Sequence, residues 1–211
     1  MSFEYTLNTD TSFLPASEIN DRLNRLQERM LDISLHGAVI SDPVELLYYT
    51  GTMPGGILFV PAEGEPELFV RRSFERARSE SPIRNLTPFT SFREIQALLV
   101  KRSMPFSMLG IDERATTLSY FKLLKRYFVS SRFADIGQEL GRLRAVKSPY
   151  EIGKLRQAGE VSRKVTAMIP ELLVPGISEW NLALRLFQET ALLGRSCVCR
   201  LAFSSGECFM G

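Results

Sequence analysis

From residue 91 to residue 136 the chain alternates amphipathic segments of helical length with short apolar runs, and few folds accommodate that pattern. Ser91 to Arg102 carries Phe92, Ile95 and Leu99 at helical spacing behind a Ser91–Glu94 capping box. Thr117 to Phe128 repeats the pattern with Leu118, Phe121, Leu124 and Phe128. Met108 to Ile111 and Phe133 to Ile136 are apolar runs too short for helices. Strands separated by such helices imply a largely parallel or mixed sheet covered by helices, because a parallel crossover needs about a dozen residues or more.

The preceding residues add an antiparallel element. Gly56 to Val60 ends at Pro61, and Glu67 to Val70 begins after Gly64-Glu65-Pro66, so the two runs predict a hairpin. Residues 17–35 predict an amphipathic helix with Ile19, Leu23, Leu26, Met30 and Ile33 on one face and Gly37 as its stop. Ala38-Val39-Ile40 follows as a strand broken by Asp42-Pro43. The expected class is α/β, with a mixed sheet flanked by helices, over residues 1–137.

The pattern changes after Gly137. Ser148-Pro149-Tyr150-Glu151 joins a capping box to proline at the first helical position. The helix it opens marks one face with Ile152, Leu155, Ala158, Ser162, Val165, Ile169 and Leu172, up to Pro175-Gly176. Ser178 caps a second helix with Trp180, Leu184, Phe187 and Ala191 on one side and Leu182, Leu186 and Leu192 elsewhere, so it is expected to be buried in a larger body. Val198 to Phe203 predicts a strand ending at Ser204-Ser205-Gly206. Two helices and one strand leave a helix face and a strand edge uncovered, so residues 138–211 are expected to be a truncated α+β domain.

Charge excludes some function classes. The 26 Lys and Arg against 24 Asp and Glu leave a net charge of +2, which gives no electrostatic argument for nucleic acid or an anionic membrane. Arg71-Arg72 with Arg76 and Arg78, and Lys122 with Lys125-Arg126, are basic clusters that read as solvated surface. No basic segment followed by an apolar stretch opens the chain, and no apolar run has bilayer-spanning length. Cys197, Cys199 and Cys208, an odd set near the end, read as reduced thiols in a cytoplasm. His36, the single histidine, reads as a surface residue, and Glu151 and Glu179 as helix-start carboxylates.

In order and spacing these segments resemble the creatinase/prolidase/aminopeptidase P family of pita-bread metallopeptidases. Leu143-Arg144-Ala145-Val146-Lys147-Ser148-Pro149-Tyr150-Glu151-Ile152 resembles the family's linker into its catalytic domain, and Val174-Pro175-Gly176-Ile177-Ser178-Glu179 its cap of the next helix. Leu47-Tyr48-Tyr49-Thr50-Gly51 resembles the Tyr-x-Thr-Gly segment of its amino-terminal domain. The resemblance implies hydrolysis of bonds to proline nitrogen in peptides by a homodimeric enzyme. It further implies two divalent metals, manganese, cobalt or zinc, stabilising attacking and leaving atoms.

The family's Asp, Asp, His, Glu and Glu ligands come late in the catalytic domain, and none can be assigned here. No catalytic or metal-binding residue is therefore expected in this chain, and the chain alone is expected to be inactive. Tyr48, Tyr49, Thr50 and Gly51 are the candidate substrate-lining residues, although strand packing with a turn glycine also explains them. The alternative is a non-catalytic relative that keeps the scaffold and binds other proteins.

Overall fold

The computed structural model describes residues 14–103 and 106–193, together with the backbone of Cys199–Arg200 and Glu207–Cys208. The chain divides into two compact units, the first being Ser12–Val146. Its elements are α1 (Ala16–Asp32), β1 (Gly37–Ile40), α2 (Pro43–Thr50), β2 (Gly55–Pro61), β3 (Glu67–Arg72) and α3 (Phe74–Glu80), then β4 (Asn85–Pro88), α4 (Phe92–Lys101), β5 (Met108–Ile111), α5 (Leu118–Tyr127), β6 (Arg132–Asp135) and α6 (Gly137–Ala145). The strands form one six-stranded sheet in the order β4-β3-β2-β1-β5-β6. Only β2 runs against the others: it pairs antiparallel with β1 and β3, while β1–β5, β3–β4 and β5–β6 are parallel. The expected hairpin is β2–β3, and the mixed sheet follows from it.

Helices cover both faces of the sheet, so successive strand residues enter different cores. Ala38, Ile40, Leu58, Val60, Leu68 and Val70 pack with Ile19, Leu23, Leu26 and Met30 of α1, Leu46 and Tyr49 of α2, and Leu140 of α6. Val39, Ile57, Phe59 and Phe69 face the opposite way, onto Phe92, Ile95 and Leu99 of α4 and Leu124 of α5. Each large apolar side chain buried in this way stabilises the fold by roughly 1.5–3 kcal/mol. α6 is fastened to α1 by polar contacts as well: Arg29 Nε donates to Glu139 at 2.6 Å and Arg25 to the Leu143 carbonyl at 2.6 Å.

Several local expectations are corrected. α1 ends at Asp32, not residue 35, because Ser34 turns into the left-handed region (φ 58°); Gly37 then opens β1 instead of stopping the helix. His36 is accordingly not at a helix end. It leads into the sheet, donating its N–H to Met108 O, while its Nδ1 lies 2.6 Å from Ser107 Oγ. The Ser91–Glu94 box is rearranged, with Glu94 accepting from Thr90 N and Oγ1 and the Ser91 hydroxyl also donating to it. In α5, Leu118 is 67% exposed, and Leu124 and Phe128 are the buried pair.

The second unit contains α7 (Pro149–Leu172), α8 (Glu179–Leu192) and the antiparallel pair β7 (Cys199–Arg200) with β8 (Glu207–Cys208). Both expected caps are present: Ser148 and Glu151 form the reciprocal capping box, and Ser178 accepts from Asn181 N. No residue of α7 is fully buried; Ala183, Leu186 and Thr190 are the buried residues of α8, and Trp180 is 68% exposed. The expected burial of α8 is thus partial in this structure. Apart from Cys199 and Arg200, the strand expected over 198–203 lies outside the described residues, as does Cys197. No helix among the described residues is long and apolar enough to cross a membrane.

One buried charge ties the sheet to α4. Glu67, with no exposed surface, accepts from Thr87 Oγ1 and from Arg102 at the end of α4. Removing the arginine leaves a carboxylate uncompensated inside the protein. Arg102→Ala is expected to lower stability in urea unfolding by about 3 kcal/mol, with Glu67→Met/Arg102→Met recovering most of it. A loss under about 1 kcal/mol for the single variant would contradict the assignment.

Candidate functional site

The Tyr48–Gly51 segment closes α2, and its geometry begins at Asp42. The Asp42 carboxylate accepts from Val44 N at 3.0 Å and Glu45 N at 3.1 Å, and Pro43 takes the first helical turn, where its missing N–H costs nothing. At the other end Gly51 adopts φ 75° and donates its N–H to Leu47 O at 2.9 Å, a left-handed helix stop that favours glycine. The segment is therefore helix and cap, in place of the strand packing considered from sequence.

The four candidate residues separate by burial. Tyr49 and Thr50 have no exposed surface, whereas Tyr48 and Gly51 are half-buried. The Thr50 hydroxyl donates back to Leu46 O at 2.7 Å and lies 3.1 Å from Thr52 O, and Thr52 Oγ1 donates to Glu80 at 2.6 Å. These bonds fix the turn that leaves the helix. The Tyr49 ring meets Tyr48 edge-on at 4.9 Å, and its buried hydroxyl has no hydrogen-bond partner among the described residues.

Tyr48 sits between two arginines. Arg22 lies 4.0 Å from the ring centroid and donates to the Tyr48 carbonyl at 2.7 Å, while its Nε pairs with Glu18 at 2.8 Å. Arg144, on α6, lies 5.5 Å from the same ring and pairs with Glu45 at 2.6 Å. Guanidinium faces on a tyrosine ring gain electrostatic attraction from the ring quadrupole. In the sequence Arg144 stands within a linker motif, and neither Arg22 nor Glu45 carries a motif of its own. The Asp-Pro start of α2 was the signal that would have put Glu45 and Tyr49 one turn apart on a single helix.

Glu45 is the electrostatic oddity. Its Oε1 is taken by Arg144, but Oε2 is buried without a partner among the described residues. Burial raises its pKa above the usual carboxylate range; the Arg144 guanidinium opposes that rise, and the Asp42 and Asp112 charges add to it. A void of about 10 Å³ adjoins it, lined also by Asp42, Asp112 and Thr116, with space for a single water. The void is no metal centre: one oxygen of each aspartate accepts from backbone N–H groups, and no three His, Cys, Asp or Glu side chains converge suitably among the described residues.

Two outcomes follow. Tyr49→Phe removes a hydroxyl that lacks a partner, so it is expected to be neutral or stabilising by up to about 1 kcal/mol in thermal or urea melts. A larger loss would reveal a partner for that hydroxyl. Because the Glu45 pKa is higher in the folded than the unfolded state, the folded state binds the proton more tightly. Relative to Glu45→Gln, the native chain should gain stability as pH falls into the range just above the ordinary carboxylate value, levelling off below that value. An opposite slope would refute the burial argument.

The residues 22–146 match the family model described as the creatinase/prolidase N-terminal domain. Among curated relatives, the chain is 28% identical over 173 residues to the Xaa-Pro dipeptidase of Pyrococcus furiosus, covering 80% of this chain and 47% of that protein. It is 24% identical over 193 residues to the ectoine hydrolase of Halomonas elongata, covering 81% and 48%. The solved prolidase from Pyrococcus furiosus superposes with a TM-score of 0.70 at 26% identity, covering 81% of this chain and 52% of that one. The chain spans about half the length of the curated relatives it matches. By that match over most of its length, the chain belongs to the creatinase/prolidase N-terminal domain family.

Proposed function

We propose that this chain supplies the amino-terminal domain, and the opening helices of the catalytic domain, of a metallopeptidase that cleaves bonds to proline in short peptides. The observation that carries the reading is that similarity to an Xaa-Pro dipeptidase extends over 173 residues, well beyond the 22–146 domain match. In this proposal the catalytic domain, expected from residue 138, starts instead at 147, since α6 packs within the first unit, and the Ser148 capping box launches α7. A homodimer working in the cytoplasm belongs to the same proposal.

Two divalent metals in the whole protein would activate water and stabilise the departing nitrogen. The described residues do not suit them, since no three ligand-type side chains converge, so no metal-dependent step is assigned here. The chain's own contribution is positional. In the Tyr48–Gly51 segment, proposed to border the substrate, Tyr48 and Gly51 offer accessible surface, while Tyr49 and Thr50 hold the turn from within. Arg22 and Arg144 keep the Tyr48 ring in place.

The purified 211-residue chain, supplied with Mn²⁺ or Co²⁺, is expected to release no proline from Gly-Pro. The coding sequence beyond Gly211 is expected to contain the spaced Asp, Asp, His, Glu and Glu. Turnover by this chain would overturn the division of labour. A downstream domain with those five positions replaced would favour a binding protein instead.

A further inference from the structure

The cleft at the carboxyl ends of β3 and β4 has a composition that the proposed peptidase role leaves unused. It encloses about 300 Å³, at the small end of ligand-binding cavities. Its lining includes Arg71 and Arg72 from β3, Phe89 and Thr90 after β4, Phe92 of α4 and Tyr120 of α5.

Adjacent strand residues ordinarily point to opposite faces, so two successive arginines lining one cleft need a cause. The cause is a bulge. Gly55 pairs with Arg72 and Gly56 with Val70, which leaves Arg71 as the extra residue on β3. A bulge of this kind bends the strand and re-aims the side chain it inserts. The facing strand contributes glycines, and at Gly56 no other residue fits, because a Cβ would lie 2.2 Å from Phe69 O. The glycines leave the space in front of the arginines open.

Four other arginines of this unit hold carboxylates: Arg22 with Glu18, Arg29 with Glu139, Arg102 with Glu67 and Arg144 with Glu45. Arg71 and Arg72 are exposed and have no hydrogen-bond or ion-pair partner among the described residues. Glu94, bonded to the lining residue Thr90 through Thr90 N at 3.0 Å and Thr90 Oγ1 at 2.6 Å, pairs with neither arginine. Behind the charges stands an aromatic wall: Phe89 meets Phe92 edge-on at 6.2 Å, and Phe92 meets Tyr120 at 5.2 Å.

We propose that this cleft binds a small oxyanion, a carboxylate or phosphate, borne on an aromatic or other apolar body. The arginine forks suit the oxyanion and the ring wall suits the body. The inference is independent of the peptidase reading, because it concerns binding by this chain and uses no activity.

The test is a titration of the ¹⁵N-labelled 211-residue chain with N-acetylphenylalanine, its amide and phenyl phosphate, following the Gly55 and Gly56 amide resonances. At least one anion should shift them saturably while the neutral amide does not; which anion does so identifies the source of the oxyanion. Arg71→Gln/Arg72→Gln should weaken that binding at least about ten-fold, with Arg71→Lys/Arg72→Lys intermediate. Well-dispersed spectra of both variants would establish that they fold. Equal binding of acid and amide, no saturable shift with either anion, or undiminished binding by the glutamine variant would each overturn the proposal.

Discussion

Burial of one sheet on both faces is the constraint from which the rest of the first unit follows. Val39 and Ile40 are chain neighbours, yet they belong to different cores, and Leu58 and Phe59 divide in the same way. A strand buried on both sides tolerates no slip, because a one-residue shift would exchange the two cores. Polar groups inside such a sheet need partners, which is why Glu67 is met by Thr87 and Arg102. The antiparallel β2, between β1 and β3, lets the short turn from β2 to β3 stand where a helical crossover would otherwise be required.

The same constraint places both sites of interest. α2 directly follows β1 and buries Leu46 and Tyr49 against the sheet, so its last turn is held rigidly. Arg22 from α1 and Arg144 from α6 then converge on Tyr48, joining the first helix of the unit to the last. At the other site the pairing of β2 with β3 is close enough to require Gly56, and the bulge beside it turns Arg71 and Arg72 toward one cleft. Binding residues placed at the ends of rigid strands are held more precisely than residues on free loops.

Sequence made the long periodic elements legible. α1, α4, α5, α7 and α8 have apolar spacing or caps strong enough to read, and the β2–β3 hairpin is bracketed by proline and glycine. In the first unit four elements escaped for separate physical reasons. α2 is only eight residues long, and its Asp42-Pro43 start is at once a strand breaker and a helix cap. α3 buries only Ala77, so it carries no periodic signal. β4 ends in proline and begins with asparagine, residues tolerated because it lies on the sheet edge. α6 starts at a glycine and buries only Leu140. The candidate site was legible as a segment but not as a surface: nothing in Tyr48-Tyr49-Thr50-Gly51 says which tyrosine is inside, because that depends on α1 and α6. The arginine cleft was legible only as a basic run, since its meaning comes from a strand bulge.

The central physical claim is that the doubly covered sheet of Ser12–Val146 is a cooperative body in its own right. The second unit differs in kind, for α7 buries no residue fully and α8 only three. Regions with few buried contacts open at lower free energy than cores. Native-state hydrogen exchange on the whole chain measures the difference most directly. The amides of β1, β2, β3 and β5 should exchange slowest and share one opening free energy, with those of α7 and α8 exchanging well before them. Protection of α7 and α8 equal to that of β2, in a single opening step, would contradict it.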